Sequence, residues 1–475
     1  MKNNKYKKYL FVFFAFSTLL LQAQKQIGAN IQGEAAGDLF GVAMSMPDDK
    51  TIAIGSVFND KAGIDAGLVR IYNLKDSVWV QQGKDFIGES AGDCTGSSVS
   101  MPNATTIAIG SGGSNHSRGQ VKVYHWDGTA WIQRGTGIYG ESVGDWLGTR
   151  VAMPDMNTLA IGANGYNGSM GFVTIYYWDG TNWIQRGSTI YGNASGDLLG
   201  IALSMPNANT VAIAAPFSSN TAGYVSVYNW NGKDWIQKGV DIVGESPGDK
   251  LGFGLSMPDE NTLSVGAYGK NNGTGEVRIY SWNGNSWVQK GVTLTGETEG
   301  EQFGWSVNMP QKNMIAIGAP LKNNSTGQVN VYFWNGSKWA KVGTNLTGSK
   351  PFDRTGFIVN MPDVTTLAVG SPNLNTSSET GYAQVFSLSG LVVFPKEIEK
   401  NIQVSPNPAS QFIQIKADLQ YIGLNYTMYD ISGKIVLNGK LNYDKTTVNL
   451  SDFASGVYLL NFYGNENKTF KIVKN

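Results

Sequence analysis

The sequence predicts an all-β protein: a seven-bladed β-propeller with four-stranded antiparallel blades, followed by a small Ig-like β-sandwich. Three observations carry this reading. A unit of about 52 residues occurs seven times, marked by Met-Pro at Met46, Met101, Met153, Met205, Met257, Met309 and Met361. A glycine heads each unit at the same spacing, from Gly33 to Gly348. The chain of 475 residues holds 60 glycines without a collagen period, which implies many tight turns between short strands. With 41% hydrophobic and 15% charged residues it is a globular chain, too long for one small domain.

Each unit divides into four strand-like runs. The first ends at Met-Pro, as in 201–205, where proline stops the strand by removing a ladder donor. The second is Thr-Ile-Ala-Ile-Gly at 51–55 and 106–110, or a close variant. The third alternates apolar and polar residues, as at 277–280 and 329–332. The fourth is Trp-Ile-Gln-Arg-Gly at 131–135 and 183–187, or Trp-Val-Gln-Lys-Gly at 287–291. Runs three and four are joined by Asp127-Gly128, Asn231-Gly232 and their counterparts, the dipeptides of tight hairpins. Four antiparallel strands repeated in this way make a propeller. Large and small residues alternate before each Met (Val99 then Ser100, Leu203 then Ser204), which suits a strand near a crowded axis.

The seventh unit keeps its third strand at 381–386 but lacks the Trp-containing fourth. Gly28 stands five residues before Gly33, as Gly135 stands before Gly140. The segment 24–28 is therefore expected to supply the missing strand and close the ring; 391–394 is the competing donor.

The flanks carry an address. Residues 1–23 read as a secretory signal peptide: Lys2, Lys5, Lys7 and Lys8, then an apolar run at 10–21 too short to span a bilayer, then Ala23 for cleavage. The expected division is signal 1–23, propeller 24–390, linker 391–401 and a C-terminal domain 402–475, with no membrane span in the mature chain. Lys+Arg and Asp+Glu both number 36, which argues against a nucleic-acid partner. The propeller alone carries a net charge of −6, which favours neutral or cationic partners. With one Cys and two His, neither an intrachain disulfide nor a Cys/His zinc site is expected, and no cofactor is implied.

Two resemblances refine this. Leu39-Phe40-Gly41, the 317–320 run Ile-Gly-Ala-Pro and the 327–332 run Gly-Gln-Val-Asn-Val-Tyr resemble FG-GAP repeats, the blades of integrin α-subunit propellers. Calcium-binding members carry Asp-x-Asp-x-Asp-Gly between strands one and two. Here those turns, such as 102–106, are too short and too poor in carboxylates, so no metal is expected. The C-terminal segment resembles the type A sorting domain of the type IX secretion system. The matching residues are Pro406, Asn407 and Pro408; Asp430, Gly433 and Lys434; Gly456 and Tyr458; and Lys471. The resemblance implies passage through the outer membrane by the type IX machinery and a secreted or cell-surface location.

Chemistry is harder to find. His116 and His125 have no histidine neighbours in the repeat, and Cys94 fills a variable slot. No nucleophile elbow or phosphate loop appears. A carboxylate recurs at Asp38, Asp93, Asp145, Asp197, Asp249, Glu301 and Asp353. It is read either as a ring of cation ligands or as a cap on each turn; occurrence in every blade favours the cap. Residues that depart from the repeat are more informative. Arg150, Trp146 and Trp305 are outsized for their slots, and Tyr166 and Tyr268 lie in the variable 2–3 loops on the same face. These five are the candidate ligand-binding residues; no catalytic residue is assigned. The leading expectation is a non-catalytic surface propeller that binds a glycan or protein. The alternatives are a glycan-cleaving enzyme using acidic residues of that face and a structural matrix protein.

Overall fold

The computed structural model describes residues 24–374, 379–391, 402–417, 424–441, 445–463 and 468–475. The signal-peptide reading of 1–23 and most of the linker fall outside these residues. The chain forms two compact units, Met1–Val392 and Val393–Asn475.

The first unit holds seven antiparallel sheets. Blade two shows the plan: Thr95–Asn103, Thr106–Ser111, Gln120–Trp126 and Trp131–Gln133 pair in sequence order. The second strand is buried at all six positions in every blade, because neighbouring blades cover both its faces. That is why it reads as an unbroken apolar run rather than an alternating one. The inner strand Phe40–Asp48 touches both Thr95–Asn103 and Ile358–Asn360, so the inner strands form a closed ring.

Closure follows the N-terminal route. Lys25–Gln26 and Ile31–Gln32 both pair with Tyr382–Ser387, in registers Lys25↔Ser387 and Ile31↔Ala383. The fourth strand of blade two is split in the same way, into Trp131–Gln133 and Ile138–Tyr139. The competing segment begins at Leu391, a turn residue whose N–H bonds the Leu388 carbonyl at 3.1 Å; 392–394 lie outside the described residues. Removing 24–32 strips blade seven of that strand and exposes the edge that Ile31, 5% exposed, now covers. The midpoint of thermal unfolding is expected to fall by roughly 5 °C or more; an unchanged midpoint in a heat scan refutes the closure.

Three repeated contacts tie blade to blade. The Trp of each fourth strand donates its indole N–H to the preceding blade, as Trp183 does to the Arg134 carbonyl at 3.1 Å. Trp79 of blade one donates to Ile27 of the N-terminal segment at 3.0 Å, which locks the closure. The Arg134 guanidinium lies 4.5 Å from the Trp178 ring centroid, a cation–π contact that Arg186, Lys238 and Lys290 repeat on the rings of the next blades. Nearer the axis, Ser45 Oγ accepts from the Met101 N–H at 2.9 Å and Ser100 Oγ from Met153 N–H. The small residue before each Met is thus an inter-blade acceptor, except at Ala152, which has none to offer Met205.

The second unit is a β-sandwich of three and four strands. Ile402–Ser405, Phe412–Ala417 and Lys445–Asn449 form one sheet; Ile435–Lys440, Asn425–Asp430, Gly456–Tyr463 and Lys468–Lys474 form the other. Its own core includes Ile413, Ile415, Met428, Leu460 and Ile472, each fully buried. The sorting residues act as fasteners here. Asn407, flanked by Pro406 and Pro408, donates to the Lys471 carbonyl at 2.7 Å and accepts from the Val473 N–H at 2.9 Å. Asp430 accepts the N–H groups of Ser432 and Lys434 across the turn that Gly433 completes at φ +84°. Tyr458 donates to the Ala454 carbonyl.

Candidate functional site: the channel mouth

The connections from strand four to strand one and from strand two to strand three share one face of the ring. The backbone shows it: the Gly113 N–H of a 2–3 loop bonds the Asp93 carbonyl of a 4–1 turn, and Gly165 bonds Asp145 likewise. The repeated carboxylates of that face are caps. Asp93 accepts the N–H groups of Glu89 and Ser90 at 2.8 and 3.0 Å, and Asp197, Asp249, Glu301 and Asp353 repeat the pattern. All seven are 2–4% exposed. Two are also neutralised from within: Lys270 pairs with Asp249 and Lys322 with Glu301. Among the described residues no cluster of three or more metal-ligating acids, His or Cys is present.

Inside this rim, the upper halves of the seven inner strands enclose a cavity of about 200 Å³. Its lining is lopsided. One position of the inner strand is Val42, Ser97, Thr149 and Ile201 in blades one to four but Phe253, Trp305 and Phe357 in blades five to seven. Those three aromatics form a continuous wall: Phe253 and Trp305 have ring centroids 4.5 Å apart, and Trp305 and Phe357 are 5.3 Å apart. Tyr268 backs the wall at 4.8 Å from Trp305, and the Lys250 ammonium sits 4.9 Å from the Tyr268 centroid.

Arg150 enters the same cavity from blade three, on the other side of the ring. Its position is Ala43, Ser98, Ala202, Gly254, Ser306 or Ile358 in the other blades. Burial pulls its pKa down from the usual arginine value, with no acidic group to offset it. A guanidinium remains a cation even so. Among the described residues it makes no ion pair, and its one bond is from Nη1 to the neighbouring Thr149 carbonyl at 3.3 Å. No Asp or Glu lines the cavity.

The five sequence candidates thus separate. Arg150 and Trp305 share the cavity. Tyr268 supports Trp305 but is itself only 5% exposed. Trp146 is 41% exposed and lies over Gly165, where an added Cβ would come within 2.6 Å of its indole. Tyr166 packs on Phe172 and Tyr191 at 5.1 and 5.5 Å, within blade three, away from the aromatic wall. Phe253, Phe357 and Lys250 were missed by sequence reading. Their signal was present: three aromatics at one position, 52 residues apart, in consecutive units.

Comparison with known proteins bears on the C-terminal unit. Residues 403–475 match the family model of the secretion system C-terminal sorting domain. The chain carries a type IX sorting domain and is directed to the cell surface or the extracellular space by that machinery. No helix among the described residues is long and apolar enough to cross a membrane. No curated protein matches the chain. Among solved structures it is similar to a candidate 6-phosphogluconolactonase from Bacteroides uniformis, with 12% identity, a TM-score of 0.48, and 68% of this chain and 89% of that one covered. It is also similar to the β-propeller domain of the Trilobed protease from Pyrococcus furiosus, with 9% identity, a TM-score of 0.41, and 74% and 97% covered. A Hadza microbial sialidase follows, with 13% identity, a TM-score of 0.37, and 60% and 63% covered.

Proposed function

We propose that this protein is a non-catalytic, exported propeller of FG-GAP type that binds a glycan at the mouth of its channel. The FG-GAP part rests on the 39–41, 317–320 and 327–332 motifs. The binding part rests on one observation: the cavity departs from the seven-fold repeat in its lining, with an aromatic wall on blades five to seven facing an arginine from blade three. A scaffold repeated for stability alone has no use for that asymmetry. Aromatic faces stack on the apolar faces of sugar rings, and a rigid ring with few convergent polar groups is the usual form of a small-ligand site.

A glycan-cleaving enzyme is the second reading. It needs two carboxylates roughly 5 to 10 Å apart across the site. The repeated capping carboxylates of this face are bonded to their own turn amides, the exposed Glu34, Glu89, Glu245 and Glu297 are paired with Arg70, Lys122, Lys270 and Lys322, and the cavity wall offers no carboxylate. The Cys94 thiol, pushed up by burial, is no activated nucleophile.

A glycan-array screen of the full secreted chain tests the proposal. Alanine at Trp305 or Arg150 is expected to weaken any hit by about 1 kcal/mol or more, roughly fivefold, without unfolding the ring. Binding that survives both changes but falls with substitutions at the Asn231-Gly232 turn moves the site to the opposite face.

A further inference from the structure

We propose that the ligand of this cavity is a carboxylate-bearing sugar, held by Arg150 through its acid group and by the Phe253–Trp305–Phe357 wall through its ring. This rests on the glycan reading above and adds the chemistry that selects among glycans.

Among the described residues Arg150 lacks a counter-ion. A charged group taken from water is kept only when it is paired or hydrogen-bonded. Of the described residues, the three cations of this propeller that are fully buried obey that rule, whereas Arg150 and Arg354 are half-buried and Arg354 Nε is sealed without a partner. Arg70 is held by Asp85 and Glu34, Arg278 by Glu276 and Glu245, and Lys322 by Glu301 and Glu297. Arg150 has no such partner, and none of its nitrogens is both sealed from solvent and unbonded. Its free donors therefore face the cavity water. A fork of N–H donors with no counter-charge, set in a wall that is polar over about half its surface but holds no carboxylate, is a receptor for a planar anion, and a carboxylate matches it with two parallel bonds. Lys250 and Arg354, which lead the inner strands of blades five and seven, also make no ion pair among the described residues.

The remaining features narrow the anion. A volume of about 200 Å³ admits a single ring-sized group. The three aromatic rings demand that this residue present an apolar face. The propeller's net charge of −6 disfavours acids at long range, but the buried carboxylates of this face cap their own turns and two of them are internally paired. Within the screening length of about 8 Å at physiological salt, the unpaired arginine sets the potential.

The test uses the full secreted chain and three probes by calorimetry: glucuronate, glucose and acetate. Glucuronate is expected to bind, with glucose and acetate each weaker by about tenfold or more, since a charge-assisted bond of this kind is worth that much. Arg150→Met should abolish the preference for glucuronate over glucose while leaving the unfolding midpoint unchanged or raised, because it removes an unpaired cation. Arg150→Lys should restore part of the preference. Trp305→Ala should weaken glucuronate and glucose together. Equal binding of glucuronate and glucose, or a preference untouched by Arg150→Met, overturns the inference while leaving a glycan-binding propeller. Acetate binding as well as glucuronate overturns the role of the sugar ring, and an acidic peptide displacing every sugar overturns the ligand class. A lowered midpoint in Arg150→Met with binding intact assigns Arg150 a structural role instead. An array on which no glycan of any kind binds removes the proposed function itself.

Discussion

Deleting residues 402–475 is expected to leave the propeller folded in the periplasm and absent from the cell surface and medium. Each unit is compact and has a core of its own. What it removes is the sorting domain that matches over 403–475. Fractionation and immunoblotting of the truncated and full chains measure the effect, with resistance to protease as the check that the ring has folded. A finer change separates the domain's fold from its mere presence. Asn407→Ala loses both bonds to the last strand, at the Lys471 carbonyl and the Val473 N–H. Leaving those backbone groups unsatisfied costs about 1–3 kcal/mol each where they are buried, and less where water reaches them. Partial loss of export is therefore expected. Truncated chain in the medium at normal amounts contradicts the address.

The architecture was legible because each blade repeats its own evidence. Met-Pro, Asp/Asn-Gly and the Trp-x-Gln motif recur in phase, and a local signal repeated across blades outweighs the ambiguity of any single strand. The closure was legible for the same reason: Gly28 keeps the spacing of a fourth strand although the Trp that marks it is missing. Side-chain roles were less legible. Ser45 and Ser100 read as small residues at a crowded axis, and only the structure shows their hydroxyls accepting from the next blade's Met. Tyr268 read as an exposed loop aromatic, because nothing local says that Phe253 and Trp305, from two different blades, close over it. The first strand of the sandwich, Ile402–Ser405, runs into Pro406, and the proline density there reads as loop. In each case the deciding partner is distant in sequence.

Gly110→Val is expected to prevent the ring from forming at all. Gly110 is the last residue but one of the second strand of blade two, where its backbone faces that of Gly148 in blade three. A Cβ at Gly110 would stand 1.9 Å from the Gly148 carbonyl oxygen and 2.5 Å from Ser98 Oγ. Gly162, Gly266 and Gly318 meet Gly200, Gly304 and Gly356 in the same way, at 2.2, 2.0 and 2.0 Å. The obstacle is backbone, so no rotamer relieves it; the blades must part, and parting forfeits packing along buried strands. One interface already carries a methyl group. Ala214 holds this position in blade four, and opposite it Gly252 sits at φ +103° against +93°, +89° and +88° at Gly148, Gly200 and Gly304. A single methyl is thus absorbed by moving the neighbouring strand. Gly110→Ala should accordingly cost about 1–3 kcal/mol, the range for an overfilled core, and lower the unfolding midpoint by several degrees. Valine adds two further methyls with one stiff χ1 and exceeds what that movement absorbs, so the chain should be recovered only as aggregate or degraded. The reciprocal change, Ala214→Gly, relieves the strained interface but frees the unfolded chain, two effects of about 0.5–1 kcal/mol that oppose each other. Its midpoint should stay close to that of the parent. Soluble Gly110→Val with an unshifted midpoint would show that the blades do not meet at these glycines, and the packing of the ring given above would be wrong.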